Sequence, residues 1–241
     1  MPLLRSRLLP KLPWKALHFD GVDDYVTVPH SDVFNMKSFC VEIMFRPISF
    51  TNPNTGYKAH WLFKDQYIAV ITSSEGLVEV RTVDSSSNLV VLGSSRAIEL
   101  DRYHVIAYNV HEEGVVELFI DGELDSSKEF SGPPQPNERN IVVGSAYDLS
   151  YACRGLIALV RIYNRVLTED EIKWNYYHPD DPIRSGLVLW LHYDSIDEEN
   201  GVWRDKTPNG NDGDIYGATV VEFTKPPYRT LSPSRTLSPV R

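Results

Sequence analysis

Short runs of apolar and β-branched residues alternate along this chain with turns rich in Gly, Asn and Asp. In the stretch VEIMFRP (41–47), Val41, Ile43 and Phe45 fall on one side while Glu42 falls on the other. This period of two predicts a half-buried β-strand. Further strands are predicted at 25–28, 67–71, 77–83, 89–93, 103–110, 140–144 and 186–193. The segment 156–163 is apolar on both faces, as expected of an interior strand.

Local turn and capping signals complete the predicted secondary structure. In VVELFIDGELDSSKEF, Asp121 and Gly122 offer the two positive-φ positions of a tight hairpin turn. Thr168 precedes Glu171 by three positions, a capping box that predicts a short helix at 168–178. Many short strands with a single short helix indicate an all-β fold, an antiparallel two-sheet sandwich. No run of 18 apolar residues occurs, so we expect no membrane span.

Five segments of the chain match one known family in their order. They are ALHFDGVDDYVTVP (16–29), FCVEIMFRP (39–47), LDRYHVIAYNV (100–110), VELFIDGEL (116–124) and GLIALVRIYNRVLTEDEI (155–172). Together they resemble the laminin-G-like, concanavalin A-like jelly-roll family. The resemblance implies a jelly-roll body that extends over residues 16–223.

The C-terminal segment 186–223 stands in an unusual place for that family. In many members a similar segment precedes the FDG strand (16–29), whereas here it follows the predicted helix. Because the first and last strands of this jelly roll are neighbours, a circular permutation would let the segment close the sheet within the chain. The alternative is that it pairs with another subunit by strand exchange. Both arrangements stay open at the level of sequence.

Positive charge is concentrated at the two ends of the chain. Segments 1–15 and 224–241 contain eight basic and no acidic residues, which leaves 16 basic and 33 acidic residues in the body, a net charge of −17. We predict that these Pro-rich segments are arms that contact acidic surfaces and mediate self-association. Nucleic-acid binding is not expected, because the acidic body offers no basic, aromatic-rich face. The predicted assembly residues are Arg5, Arg7, Lys11, Arg229, Arg235 and Arg241.

Calcium is the one cofactor that the sequence suggests. Asp20, Asp23 and Asp24 lie in one turn and offer the hard oxygen ligands that calcium prefers. The family resemblance implies a structural calcium near this loop. However, the family's last strand often carries an aspartate where this chain has Ala158, so one implied ligand is missing. The alternative is that the three aspartates serve as turn formers before a strand.

Aromatic residues in or beside predicted loops suggest a glycan as a second candidate partner. Lectin-like sites stack sugar rings on exposed aromatic side chains and bond the hydroxyls to polar groups. The alternative for each aromatic residue is a place in the core or in an interface. The candidates are Tyr57, Trp61, Tyr147, Tyr151 and Trp203.

No local pattern of catalytic residues stands out. The jelly-roll fold also hosts laminarinase-type enzymes, which carry the motif Glu-x-Asp-x-x-Glu. The nearest approach here is Glu123-Leu-Asp125-Ser-Ser-Lys128, in which a lysine replaces the final acid. We therefore predict that the protein is not an enzyme.

Cys40 and Cys153 are interpreted as buried thiols, with a single disulfide as the alternative.

Two functions from different classes fit these observations. The first is a non-enzymatic structural or assembly protein of an extracellular or virion surface, in which the jelly-roll body and the basic arms make subunit contacts. The alternative is a carbohydrate-binding, lectin-like adhesion module. The apolar runs near the N-terminus are broken by Arg and Pro, so a signal peptide is not expected.

Overall fold

Antiparallel strands make up most of the molecule. The computed structural model describes residues 14–147 and 149–223, so the predicted assembly residues Arg5, Arg7, Lys11, Arg229, Arg235 and Arg241 lie outside the described residues. The strands are β1 (Trp14–Asp20), β2 (Tyr25–Val28), β3 (Phe39–Ser49), β4 (Ala59–Lys64), β5 (Ile68–Thr72), β6 (Leu77–Val83), β7 (Leu89–Ala97), β8 (His104–His111), β9 (Val115–Ile120), β10 (Glu123–Glu129), β11 (Ile141–Val143), β12 (Arg154–Tyr163), β13 (Leu187–Asp197), β14 (Val202–Asp205), β15 (Gly213–Tyr216) and β16 (Thr219–Phe223). A short 3₁₀ helix covers Asp32–Phe34, and the helix α1 covers Glu169–Tyr177.

The two layers of the sandwich are halves of one strand path. Its order is β10-β9-β8-β3-β12-β13-β14-β15-β2-β11-β4-β5-β6-β7. The β13–β14 register is interrupted between Leu191 and Ile196. Phe45 of β3 stacks on Trp61 of β4 with ring centroids 4.2 Å apart, so the layers meet through their inner faces. The predicted jelly-roll sandwich with one short helix is confirmed.

Strand β12 is paired along both edges by strands of the same chain. On one edge β3 accompanies it along its whole length. On the other edge β1 pairs with its first half up to Ile157, and β13 pairs with its second half from Leu159. β16 then adds to β1, with Val221 opposite Ala16. Segment 186–223 thus closes the sheet within the chain, which is the first of the two arrangements left open by the sequence.

The first strand begins inside the segment that the sequence assigned to the N-terminal arm. Trp14 and Lys15 both lie in β1. Trp14 is buried, and its ring centroid is 4.1 Å from that of Tyr193. Lys15 Nζ lies 2.6 Å from Glu198 Oε1. Trp14 and Lys15, which the sequence assigned to the arm, therefore make contacts with the body.

Strand β3 is buried on both faces, so its prediction as a half-buried strand was wrong. Glu42, expected on the solvent side, is only 1% exposed. It lies opposite Arg161 of β12, and Arg161 Nη1 donates a hydrogen bond of 2.9 Å to Glu42 Oε2. Asn175 of α1 donates to both oxygens of Glu42 at 3.0 and 3.1 Å. The helix covers this face and encloses a buried ion pair.

The helix itself begins as the sequence predicts. The Thr168 side chain accepts a hydrogen bond from the backbone of Glu171, and the Glu171 side chain accepts one from the backbone of Thr168. Arg165 also binds the Glu171 carboxylate with two nitrogens, at 2.9 and 2.7 Å. The predicted capping box is confirmed, and it anchors α1 over β3 and β12.

We expect Arg161→Met to lower the free energy of unfolding by about 3–5 kcal/mol, because it leaves the Glu42 carboxylate buried without its counter-ion. The double variant Glu42→Met/Arg161→Met removes both charges and should lose less than the single variant. Urea denaturation at neutral pH measures both changes. Equal losses in the two variants would show that packing, not the charge left behind, sets the cost.

Candidate functional site

A cleft of about 370 Å³ opens on the outer face of strands β4 to β6. Its walls come from four parts of the chain: the loop before β4, the strands themselves, the turn between β4 and β5, and the loop between β11 and β12. The lining residues are Tyr57, Lys58, His60, Phe63, Gln66, Arg81, Ala146, Tyr147 and Tyr151. Three of the five aromatic residues predicted from sequence to bind glycans therefore meet in one cavity.

A β-bulge in β4 places the floor of this cleft. The pairing of β4 with β5 skips Trp61, which is the extra residue of the bulge. Trp61 and Leu62 therefore both belong to the main core, although consecutive residues of a regular strand point to opposite faces. His60 and Phe63 line the cleft on the outer face. Phe63 packs there in a small separate apolar cluster that includes Tyr151.

Two tyrosines of the cleft stack with His60 in a row of three aromatic rings. The ring of Tyr151 lies 4.5 Å from His60 and 5.5 Å from Tyr57, with interplanar angles of 25° and 26°. A hydrogen bond of 2.9 Å from Thr55 Oγ1 to the Ser150 carbonyl joins the two loops that carry these rings. Tyr57 is 54% exposed and presents a broad aromatic surface to solvent.

The other two aromatic candidates are core residues, and their prediction as glycan ligands was wrong. Trp61 and Trp203 are both fully buried. Trp61 packs against Phe45, and its Nε1 donates to Thr72 Oγ1 at 3.0 Å. Trp203 Nε1 donates to the His192 carbonyl at 2.8 Å. Neither ring offers a surface on which a sugar could stack.

A group of polar side chains forms one edge of the cleft, and sequence reasoning missed it. Lys58 Nζ lies 2.5 Å from Glu79 Oε2, and Arg81 Nε donates to Glu79 Oε1 at 2.5 Å. Arg81 Nη1 donates to Gln66 Oε1 at 3.1 Å. Although burial raises the pKa of Glu79, hydrogen bonds from Lys58 and Arg81 bring it below its ordinary value. The signal was present in LVEVRTV, where Glu79 and Arg81 alternate with core residues on β6.

His60 is a neutral, nearly buried base in the wall of the cleft. Its side chain and backbone together are only 4% exposed, and its Nδ1 has no hydrogen-bond partner among the described residues. Burial, and then the positive charge of Arg81, lower the pKa of His60 to about 3. The imidazole therefore carries no charge at neutral pH.

A second cleft of about 250 Å³ adjoins the first. The two share Ala146 and Tyr147, and the Tyr147 hydroxyl donates to the Asn140 carbonyl at 2.8 Å. Tyr25 lines the far part of this cleft and stacks on Tyr216 with centroids 4.6 Å apart. Its lining residues are Tyr25, Thr27, Asn140, Val142, Ala146, Tyr147 and Leu149.

The three aspartates predicted to bind calcium do lie together. Each of Asp20, Asp23 and Asp24 offers a carboxylate oxygen, and these oxygens lie within 4.8 Å of one another. Asp24 is buried, and its Oδ2 accepts a hydrogen bond of 2.8 Å from the backbone of Asp20. Burial raises the pKa of Asp24, and the charges of Asp20 and Asp23 act in the same direction. The donor set suits a hard cation.

The segment 123–128, which was compared with the glycosidase motif, makes hydrogen bonds to a neighbouring strand. Asp125 accepts hydrogen bonds from the backbone and hydroxyl of Ser95 at 2.6 and 3.0 Å, and Lys128 donates to the Val91 carbonyl at 3.1 Å. These bonds join β10 to β7. Cys40 and Cys153 are both free and buried, as predicted.

Family membership follows from the sequence profile. The profile of the concanavalin A-like lectin/glucanases superfamily matches residues 20–173. The chain belongs to this superfamily. The match covers the floor and loops of both clefts and ends inside α1, before strands β13 to β16. A comparison with curated protein sequences gives no match.

Solved structures share this fold at low sequence identity. A putative carbohydrate-binding protein from Bacteroides ovatus is similar with a TM-score of 0.72 and 18% identity, over 90% of this chain and 62% of that one. A heptameric SAP-like pentraxin from Limulus polyphemus gives 0.60 and 10%, over 90% and 98%. The CBM40 of Ruminococcus gnavus IT-sialidase, bound to α2,3-sialyllactose, gives 0.52 and 14%, over 66% and 94%. This chain thus spans less than two thirds of the Bacteroides protein.

Within 14–147 and 149–223, none of the helices could cross a membrane.

Proposed function

We propose that this protein is a carbohydrate-binding, lectin-like module whose ligand occupies the tyrosine-lined cleft. The observation that carries the proposal is the convergence of Tyr57, Tyr147 and Tyr151 on one cavity beside Lys58 and Arg81. Flat aromatic faces stack on the apolar faces of sugar rings, and side-chain donors bind the hydroxyls. The cleft combines both kinds of surface on a rigid sheet.

Contacts between the walls of the cleft favour binding. His60 and Phe63 of the floor belong to a strand of the sandwich, and the Thr55–Ser150 hydrogen bond ties the two loops together. A site that is formed before the ligand arrives loses little conformational entropy on binding. The similar structure from Bacteroides ovatus is of a putative carbohydrate-binding protein, and the CBM40 from Ruminococcus gnavus is bound to sialyllactose, which supports the proposal at the level of the fold.

Binding without cleavage fits the chemistry of this cleft. Glycosidases of the usual type need two carboxyl groups on opposite sides of the scissile bond. The described residues that line the cleft include no carboxylate, and both oxygens of Glu79 at its edge are held by Lys58 and Arg81. We therefore propose a non-enzymatic role, on the extracellular side where such modules meet glycans.

Replacing Tyr57 or Tyr151 with Ala should weaken glycan binding by about tenfold each, because each change removes a stacking surface. Calorimetric titration with a glycan selected on an array measures the loss. Trp174→Ala is a matched control, since Trp174 is a 44% exposed aromatic residue on α1 and does not line the cleft. Unchanged affinity in both tyrosine variants would reject the cleft as the binding site.

We also propose that Asp20, Asp23 and Asp24 hold a structural calcium ion. Excess calcium should raise the melting temperature of the wild type, and Asp24→Asn should remove this shift because it takes one negative charge from the ligand set. Calcium binds the deprotonated carboxylates, and the pKa of Asp24 is raised, so the shift should shrink as the pH falls toward that pKa. Calorimetry with calcium, with magnesium and with a chelator makes the test. An equal shift in wild type and variant would exclude this cluster.

The assembly role stays a second prediction, supported by the charge contrast between the basic ends and the acidic body. Inside the described part, Lys15 shows this kind of contact with Glu198 and Glu222. Deletion of residues 225–241 should weaken self-association while the sandwich stays folded. Light scattering at several protein concentrations compares the two chains. Identical assembly of the truncated protein would reject a role for the C-terminal arm.

A further inference from the structure

The polar edge of the cleft carries more positive than negative charge. Two cations, Lys58 and Arg81, share the single carboxylate of Glu79. Lys58 holds its Oε2 atom, and Arg81 holds its Oε1 atom through Nε and Nη2. Because both oxygens are engaged, Glu79 has little capacity left for a ligand hydroxyl. The group of three retains a net charge of +1.

The same edge has hydrogen-bond donors that have no partner among the described residues. Gln66 uses its oxygen to accept from Arg81, and the structure gives its amide nitrogen no partner among the described residues. Lys58 has three N–H donors, and Glu79 is its one partner in the described part of the chain. The Lys58 side chain is 45% exposed, so its remaining donors are accessible from the cleft. This edge therefore favours ligands that present hydrogen-bond acceptor atoms.

The opposite end of the cleft carries charges of both signs. Arg139 lies over the ring of Tyr147, with its Cζ atom 5.8 Å from the ring centroid. Asp65 lies near the same tyrosine, where burial and then the charge of Asp65 raise the pKa of Tyr147 to about 12. Arg139 and Asp65 thus carry opposite charges at this end, and the loop of Tyr147 contains Asp148, which lies outside the described residues. The surplus cations of the described residues lie on the Lys58 side.

We infer that the cleft is selective for anionic sugars, with Tyr57 and Tyr151 stacking on the ring while Lys58 and Arg81 bind its carboxylate or sulfate group. This inference rests on the proposed carbohydrate-binding function. Charge-assisted hydrogen bonds to an anion are about twice as strong as neutral ones, so the unused donors of Lys58 and the positive charge of Arg81 beside them favour an anionic group. The body has a net charge of −17, which repels an anionic ligand. The surplus cations at this edge of the cleft attract the same ligand.

The test is a glycan array that contains neutral, carboxylated and sulfated glycans, followed by titration with lactose, sialyllactose and sulfated lactose. Anionic glycans should rank above their neutral counterparts, and added salt should weaken their binding. Lys58→Gln and Arg81→Gln should each reduce affinity for the selected anionic glycan roughly tenfold or more. The preference between sialyllactose and sulfated lactose distinguishes the carboxylate from the sulfate.

Two control variants remove the same kinds of charge at exposed positions that do not line the cleft. Lys173→Gln on α1 breaks an exposed ion pair with Glu123 of β10, and Arg102→Gln breaks an ion pair with Glu99. Both variants should bind the glycan as the wild type does. Melting curves check that each variant folds, and the exposed Lys58 keeps the test valid even where Arg81→Gln is unstable.

Each result separates the inference from the function on which it rests. Neutral glycans as the best ligands, with affinity lost in Tyr57→Ala but unchanged in Lys58→Gln and Arg81→Gln, would overturn anion selectivity and leave the carbohydrate-binding proposal standing. An array on which no glycan binds would reject the proposed function, and the anion selectivity with it.

Discussion

Backbone hydrogen bonding of β12 is the constraint on which the rest of this structure depends. A buried strand needs ladder partners on both edges, because its amide and carbonyl groups have no access to water. β3 satisfies one edge, while β1 and β13 divide the other at Ala158. This requirement places β13, the first strand of the C-terminal segment, on the same edge of β12 as β1. It also sets Arg161 opposite Glu42, and α1 then covers the ion pair that results.

The cleft is a consequence of how the other layer meets this sheet. Gly155 of β12 leaves room for the ring of Trp61, since a Cβ atom there would lie 2.9 Å from that ring. Trp61 fills the space as the extra residue of the β4 bulge. The neighbouring His60 and Phe63 are therefore available on the outer face, where the loop tyrosines converge. The bulge in β4 therefore determines both the core packing of Trp61 and the surface of the proposed ligand site.

Local signals predicted the elements well. The spans 25–28 and 77–83 coincide with β2 and β6, and Asp121 and Gly122 adopt positive φ angles of 55° and 81° at the predicted hairpin turn. Burial that arises from distant parts of the chain escaped prediction. Glu42 is covered by a helix more than 120 residues later, and Trp61 turns inward through a bulge that no period of two reveals. The tyrosines of the cleft were recognised from their loops, whereas its cations were hidden in an ordinary strand pattern.

The pairing of β1 with β16 sets how mechanical load enters the body. Trp14 lies opposite Phe223, so both ends of the described chain leave the sandwich at one point. A force applied between the two ends would peel these antiparallel strands apart one residue pair at a time, beginning at Trp14. A force between one end and a ligand held in the cleft would instead pass through the sandwich and across its interior. The direction of pulling therefore decides which contacts resist it.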